Sequence, residues 1–219
     1  MPRALFEKTG NAAYISHLDL MRLFQRSFKR AGLALTHTKG FNPRPSVSIA
    51  LPLSLGVESH CELLDFDLEG EKVSCIEVKQ RLNAMLTDGI SILEVYDTGA
   101  KLKELTYLSC VLTMEYDAGI PENAESQLSE LFARSDIIME KKSKNGITEQ
   151  NIAPMIQTLE MERVNSQELE LRALICCQNP SLNPAQLSAA IAKYLPDLKP
   201  DFVRICRNEI YNSKKEIFR

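Results

Sequence analysis

Two helix-like stretches, residues 17–30 and 71–87, stand between short alternating runs, and a similar order returns in the second half of the chain. In the first half, residues 3–15 read as a strand pair or bulged strand broken at Thr9-Gly10-Asn11. Ser16 is a natural N-cap with Asp19 three residues on, and Leu18, Met21, Phe24 or Gln25, and Phe28 recur at helical spacing until Gly32. Strands are expected at 33–37, 46–51, 59–68 and 90–96. In the second half, strands are expected at 105–116, 136–142, 155–163, 168–177 and 201–211, with helices near 122–134 and from Asn183-Pro184 to about Tyr194. Both halves then follow β-α-β-β-α-β, so the predicted fold class is α+β, two tandem ferredoxin-like halves. The N-terminal half would span 1–98 and carry a basic face, and the C-terminal half 103–219. A chain of 219 residues is long enough for each to bury its own core.

Charge is the next constraint. The net charge of −3 hides a polarity. Residues 1–50 hold eight cations (Arg3, Lys8, Arg22, Arg26, Lys29, Arg30, Lys39, Arg44) against Glu7 and Asp19, which is +6; the rest of the chain carries −9. A cationic end of this kind suits an anionic partner. Arg22, Arg26 and Lys29 or Arg30 would align along one face of the first helix. A solvated helix face is the ordinary alternative.

The loop "THTKGFNPRP", residues 36–45, adds a second cationic feature. Gly40 lets the backbone approach a ligand, Pro43 and Pro45 stiffen the chain beyond it, and Lys39 and Arg44 can reach phosphate oxygens. Lys39-Gly40-Phe41 begins like the strand signature of an RNA-recognition motif, but the prolines bar a central strand. His17 sits where the helix N-terminus meets anions and could act as a general base in metal-independent RNA cleavage. A histidine that only packs or caps is the commoner case.

Several classes are set aside. Six cysteines show no CxxC spacing, so buried thiols are expected and no metal or other cofactor. No P-loop, GxSxG, HExxH or Rossmann glycine pattern occurs. The longest apolar stretches are too short for a membrane span and the N-terminus is not signal-like, so a cytoplasmic protein without membrane contact is expected. Glu58, Glu62, Asp65 and Asp67 read as a solvated strand face. The segment 151–154 looks specialised without suggesting a role.

The run SHLDLMR at 16–22, GFNPRP at 40–45 and LPLSLGVES at 51–59 closely resembles, in order and spacing, the bacterial domain-of-unknown-function family DUF2344, found beside or fused to radical-SAM proteins. The resemblance implies an accessory protein rather than the catalyst. It singles out Ser16, His17, Asp19, Arg22, Gly40, Phe41, Asn42, Pro43 and Arg44. At the level of fold, the chain is also similar to the CRISPR repeat-cleaving ribonucleases, an analogy of little functional weight.

The expectation is therefore an RNA-binding or substrate-presenting partner of a radical-SAM enzyme, acting on tRNA or rRNA, with no DNA expected. Its face would comprise Arg22, Arg26, Arg30, Lys39, Gly40, Phe41, Asn42 and Arg44. An endoribonuclease using His17 and a protein-interaction module with a basic docking face are the alternatives.

Overall fold

In a computed structural model, which describes residues 2–70, 72–143 and 146–219, the chain divides into two units. One comprises Met1–Leu102 with Phe218–Arg219, the other Lys103–Ile217. Among the described residues the fold is mixed α+β with four α-helices and antiparallel strand pairing throughout each unit.

The first unit runs β1 (Pro2–Lys8), a 3-10 turn (Gly10–Tyr14), α1 (His17–Arg30), β2 (Val47–Ile49), β3 (Val57–Phe66), α2 (Cys75–Asn83) and β4 (Ile90–Asp97). β1 lies between β4 and β3, and β2 pairs with β3. Residues 3–15 thus hold one strand and a turn rather than a strand pair. Lys8 anchors that turn, its Nζ donating to the Ala13 carbonyl at 2.7 Å. The segment 33–37 is not a strand: it makes only single bridges, Leu35 to Leu68 and His37 to Pro45, because the chain turns away at the proline-rich loop. Glu71, where the sequence suggested the second helix begins, lies outside the described residues. α2 itself is shorter than expected, and Ser74 caps it by accepting from the Glu77 amide.

Helix α1 forms where the sequence places it. The Ser16 hydroxyl accepts the Asp19 amide proton and donates to the Asp19 carboxylate at 2.7 Å, satisfying an otherwise orphaned end. At the other end the Leu33 amide reaches back to the Phe28 carbonyl at 3.0 Å, with Gly32 left-handed between them. The buried row is Leu20, Phe24 and Phe28. Leu18, expected on that row, is 67% exposed. A step of four carries Leu18 to Arg22, Arg26 and Arg30 instead, the row facing away from the core.

The core explains why this helix stays put. Phe24 meets Phe6 of β1 edge-on, ring centroids 4.9 Å apart, and Phe28 meets Phe66 of β3 at 5.0 Å. Val78 and Leu82 of α2 complete the same cluster. Burying each such side chain contributes roughly 1.5–3 kcal/mol, before the entropy of ordering it.

The acidic strand is not a solvated face. Glu62 is buried, and Asp65 pairs with the buried Arg3. Two of the eight N-terminal cations, Arg3 and Lys8, therefore serve the interior, and the six that remain are all exposed.

The second unit runs β5 (Leu105–Glu115), α3 (Ala124–Phe132), β6 (Ile138–Ser143), β7 (Gly146–Asn151), β8 (Ile156–Arg163), β9 (Glu168–Cys176), α4 (Ala185–Tyr194) and β10 (Phe202–Asn212). Its sheet is ordered β10-β5-β9-β8, with β6 and β7 paired separately as a hairpin that the sequence did not announce. The segment 151–154 has a structural use: the Asn151 side-chain oxygen accepts the amides of Ile137 and Ala153, closing the hairpin base. Among the described residues, no helix is long and apolar enough to cross a membrane.

Candidate nucleic-acid interface

The row Arg22, Arg26, Arg30 lines one groove of about 570 Å³, with Asp19 at one end and Thr87 at the other. The sequence left Lys29 and Arg30 as alternatives for the last place. The structure puts Arg30 in the groove and turns Lys29 toward a different cavity.

The three arginines are held differently. Arg22 pairs with Asp19 at 2.9 Å, both well exposed. Hydrogen bonds from Ser16 and then from Arg22 hold the Asp19 carboxyl below its ordinary range, so it stays ionised at neutral pH. Arg30 donates to the carbonyl of Met85, which also accepts from Ser27, and this ties α1 to the turn after α2. The Arg26 side chain makes no ion pair or hydrogen bond among the described residues. The groove accordingly has one unpaired guanidinium flanked by two whose donors are only partly used.

The loop of residues 36–45 folds as a stiff arm. Thr38 donates its amide to the Arg44 carbonyl at 2.8 Å and accepts the Arg44 amide on its hydroxyl at 3.0 Å. Below it, the Ser46 amide donates to Thr36, and Thr36 donates to Asp67 through both amide and hydroxyl. The tip, Lys39 to Pro43, therefore stands on a hydrogen-bonded base. Gly40 at its centre has φ +144°, a conformation that L side chains rarely adopt. Phe41 is wholly exposed between the exposed Lys39 and Arg44. An aromatic ring of this size fully in water, with a cation on either side in the sequence, contributes nothing to the core.

Between the arm's base and the end of α1 lies a second cavity, of about 490 Å³. Phe28, Leu33 and Leu35 give it an apolar wall, while Gln25, Lys29, His37 and Glu69 supply the polar groups. Nothing local in the sequence announces Gln25, His37 or Glu69. They meet because the Glu69 amide bonds the Ala34 carbonyl at 2.8 Å, drawing the segment after β3 alongside the segment leaving α1.

His17 and Ser16 lie at the opposite end of α1 from Lys29, about 18 Å along the axis at 1.5 Å per residue. The His17 side chain makes no hydrogen bond or ion pair among the described residues. The cations of the arm rise from segments that line the cavity at the Lys29 end. Asn42 and Pro43 sit at the exposed tip. Of the predicted residues, Asp19, Arg22, Arg26 and Arg30 line the arginine groove and Lys39 to Arg44 belong to the arm, while His17 lines neither cavity. Among the described residues no group of three histidines, cysteines or acids is placed to hold a metal ion.

A family model described as an uncharacterized protein conserved in bacteria (DUF2344) matches residues 2–184. No curated protein matches the chain. Among solved structures, a chain in the crystal structure of a Cbf5-Nop10-Gar1 complex is similar over 95% of this chain, with a TM-score of 0.52 and 7% identity. This chain spans about half of that one, 48% of its length, and at such identity the likeness is of fold alone. A crystal structure of an unknown protein from Galdieria sulphuraria aligns over 94% of this chain and 96% of its own at 10% identity, with a TM-score of 0.26, too low to bear on the fold.

Proposed function

The chain belongs to the bacterial family DUF2344, and from that premise we propose that it is an accessory RNA-binding protein that presents tRNA or rRNA to a radical-SAM partner in the cytoplasm. The observation that carries the RNA reading is the groove in which Arg22, Arg26 and Arg30 stand four residues apart along one exposed row of α1. Guanidinium groups at that spacing match a phosphate backbone better than a compact anion, because successive phosphates need successive forks. The arm adds what a groove of charge lacks, an aromatic ring that stacks on an unpaired base. The radical-SAM partnership rests on the family resemblance of the motifs at 16–22, 40–45 and 51–59.

The scaffold is read as two ferredoxin-like halves. The first unit's element order and its neighbours β4-β1-β3-β2 support this, as do the second unit's neighbours β10-β5-β9-β8 once the β6-β7 hairpin is taken as an insertion. In such a half the helices cover one sheet face, which leaves the outer row of α1 free for a ligand.

The test is a salt-titrated binding assay against total small RNA. Wild type should bind with an affinity that falls steeply with salt. The Arg22→Ala/Arg26→Ala variant should lose roughly 0.7 from the log–log salt slope for each single-strand phosphate contact removed. Binding indifferent to salt, or unchanged in the variant, would overturn the RNA reading. Capture of a radical-SAM protein by the tagged chain tests the partner separately.

A further inference from the structure

The cavity between α1 and the arm has the dimensions and walls of a site for one nucleoside, at about 490 Å³. Its apolar wall of Phe28, Leu33 and Leu35 lies at the end where Lys29 is exposed, and Lys29 makes no ion pair among the described residues. The same lining includes His37 and Glu69, an ion pair at 3.8 Å when His37 is protonated, with nitrogen and oxygen too far apart for a hydrogen bond. The Glu69 carboxylate therefore keeps its acceptor sites available, and Gln25 offers a donor and an acceptor beside it.

We propose that this cavity takes one unstacked guanine of a single-stranded RNA whose backbone lies on Lys29, Lys39 and Arg44. The inference rests on the RNA reading above and deepens it to a base and a site. Charge complementarity argues for a strand. The apolar wall faces a base, while the unpaired Lys29 at the rim and the two cations of the arm, whose base residues His37 and Pro45 line the same cavity, face phosphates. The choice of guanine follows from the donor pattern. An ionised carboxylate only accepts, and guanine presents two neighbouring donors, the ring N1–H and the exocyclic N2–H, that a carboxylate can take together. Uracil presents one ring donor between two carbonyl acceptors, which would face Glu69 with repulsion. His37 and Gln25 then address the remaining edge.

The experiment compares a short oligouridylate, which neither pairs nor stacks strongly, with the same strand carrying one central guanosine, and with GMP alone. Wild type should bind the guanosine strand roughly fivefold to more than a hundredfold tighter than the oligouridylate, the discrimination expected of one bidentate pair. Glu69→Gln should remove that preference while leaving oligouridylate binding intact, and Ala34→Phe, which fills the cavity without touching a charge, should do the same. Salt-dependent binding of both strands with equal affinity would overturn the guanine site and leave the RNA reading standing. Failure of both strands to bind would overturn both. GMP binding as tightly as the strand would show a site for a free nucleotide and overturn the strand. Glu69 is an exposed residue outside the core, so its substitution should leave the thermal unfolding transition unchanged, which checks that a lost preference is not a lost fold.

Discussion

Arg3 and Asp65 face each other directly across β1 and β3, with Arg3 Nε donating to Asp65 Oδ1 at 2.6 Å and Nη2 to Oδ2 at 3.1 Å. Their side chains retain only 3% and 16% of their exposure. Nη2 also donates to the Ala100 carbonyl, and the Phe218 ring lies 5.2 Å from the guanidinium carbon. The fork is nevertheless incomplete, since Nη1 is buried with no hydrogen-bond partner among the described residues. Asp65→Ala would leave a buried guanidinium without its counter-charge, and should destabilise the first unit by about 3–5 kcal/mol. Replacing both residues by apolar ones of similar volume should recover most of that loss. Urea unfolding of the two variants checks it; equal losses in single and double variants would mean that packing, not charge, is what the pair contributes.

The second unit should weaken in alkali. Burial pushes the Cys110 thiol from its ordinary 9.0 up to about 12, and burial, aided by Asp201 and Glu125, raises the Tyr116 hydroxyl to about 12. The Tyr116 hydroxyl donates to the Leu198 carbonyl at 3.1 Å, a bond that ionisation would remove. A thiol whose folded value lies above its unfolded one holds its proton more tightly when folded. Its contribution is therefore complete below about pH 9 and is lost as pH rises toward about 12. The stability lost through Cys110 in that window should approach about 1.4 kcal/mol per pH unit. Urea midpoints measured from pH 8 upward should fall, and Cys110→Ala should show a shallower fall. An identical slope in the variant would place the alkaline loss elsewhere.

Much of this arrangement is written locally. Ser16 and Asp19 announce the start of α1 and Gly32 its end, because capping is a matter of neighbours in sequence. Leu18 misled because two rows, each stepping by four residues and offset by two, run along the helix, and only packing against Phe6 and Phe66 decides that the Phe24-Phe28 row is the inner one. Arg3 and Lys8 count as surface charge in a composition; the pairing of β1 with β3 reveals the internal partner of Arg3, and the folding of the turn after β1 reveals the carbonyl that Lys8 meets. The arginine row of the candidate interface was legible for the same reason as the caps. The cavity was not, since Gln25, His37 and Glu69 come from three segments joined by long-range backbone hydrogen bonds.

Phe41 separates stability from binding more cleanly than any charged residue of the interface. Its ring is fully exposed at the tip of the arm and touches no part of the core, so Phe41→Ala should shift stability by no more than about 0.5 kcal/mol. If the ring stacks on a base, the same change should cost about 1–3 kcal/mol of RNA affinity, roughly fivefold to more than a hundredfold in Kd. The salt slope should not move, because no phosphate contact is lost, whereas Arg22→Ala/Arg26→Ala should lower the slope. Binding of a single-stranded RNA at several salt concentrations yields both numbers at once. A Phe41→Ala protein that binds like wild type would leave the arm as a spacer for Lys39 and Arg44. One that loses affinity with its slope intact would identify the exposed ring as a stacking surface, and a lowered slope in Arg22→Ala/Arg26→Ala would identify the arginine row as a phosphate surface.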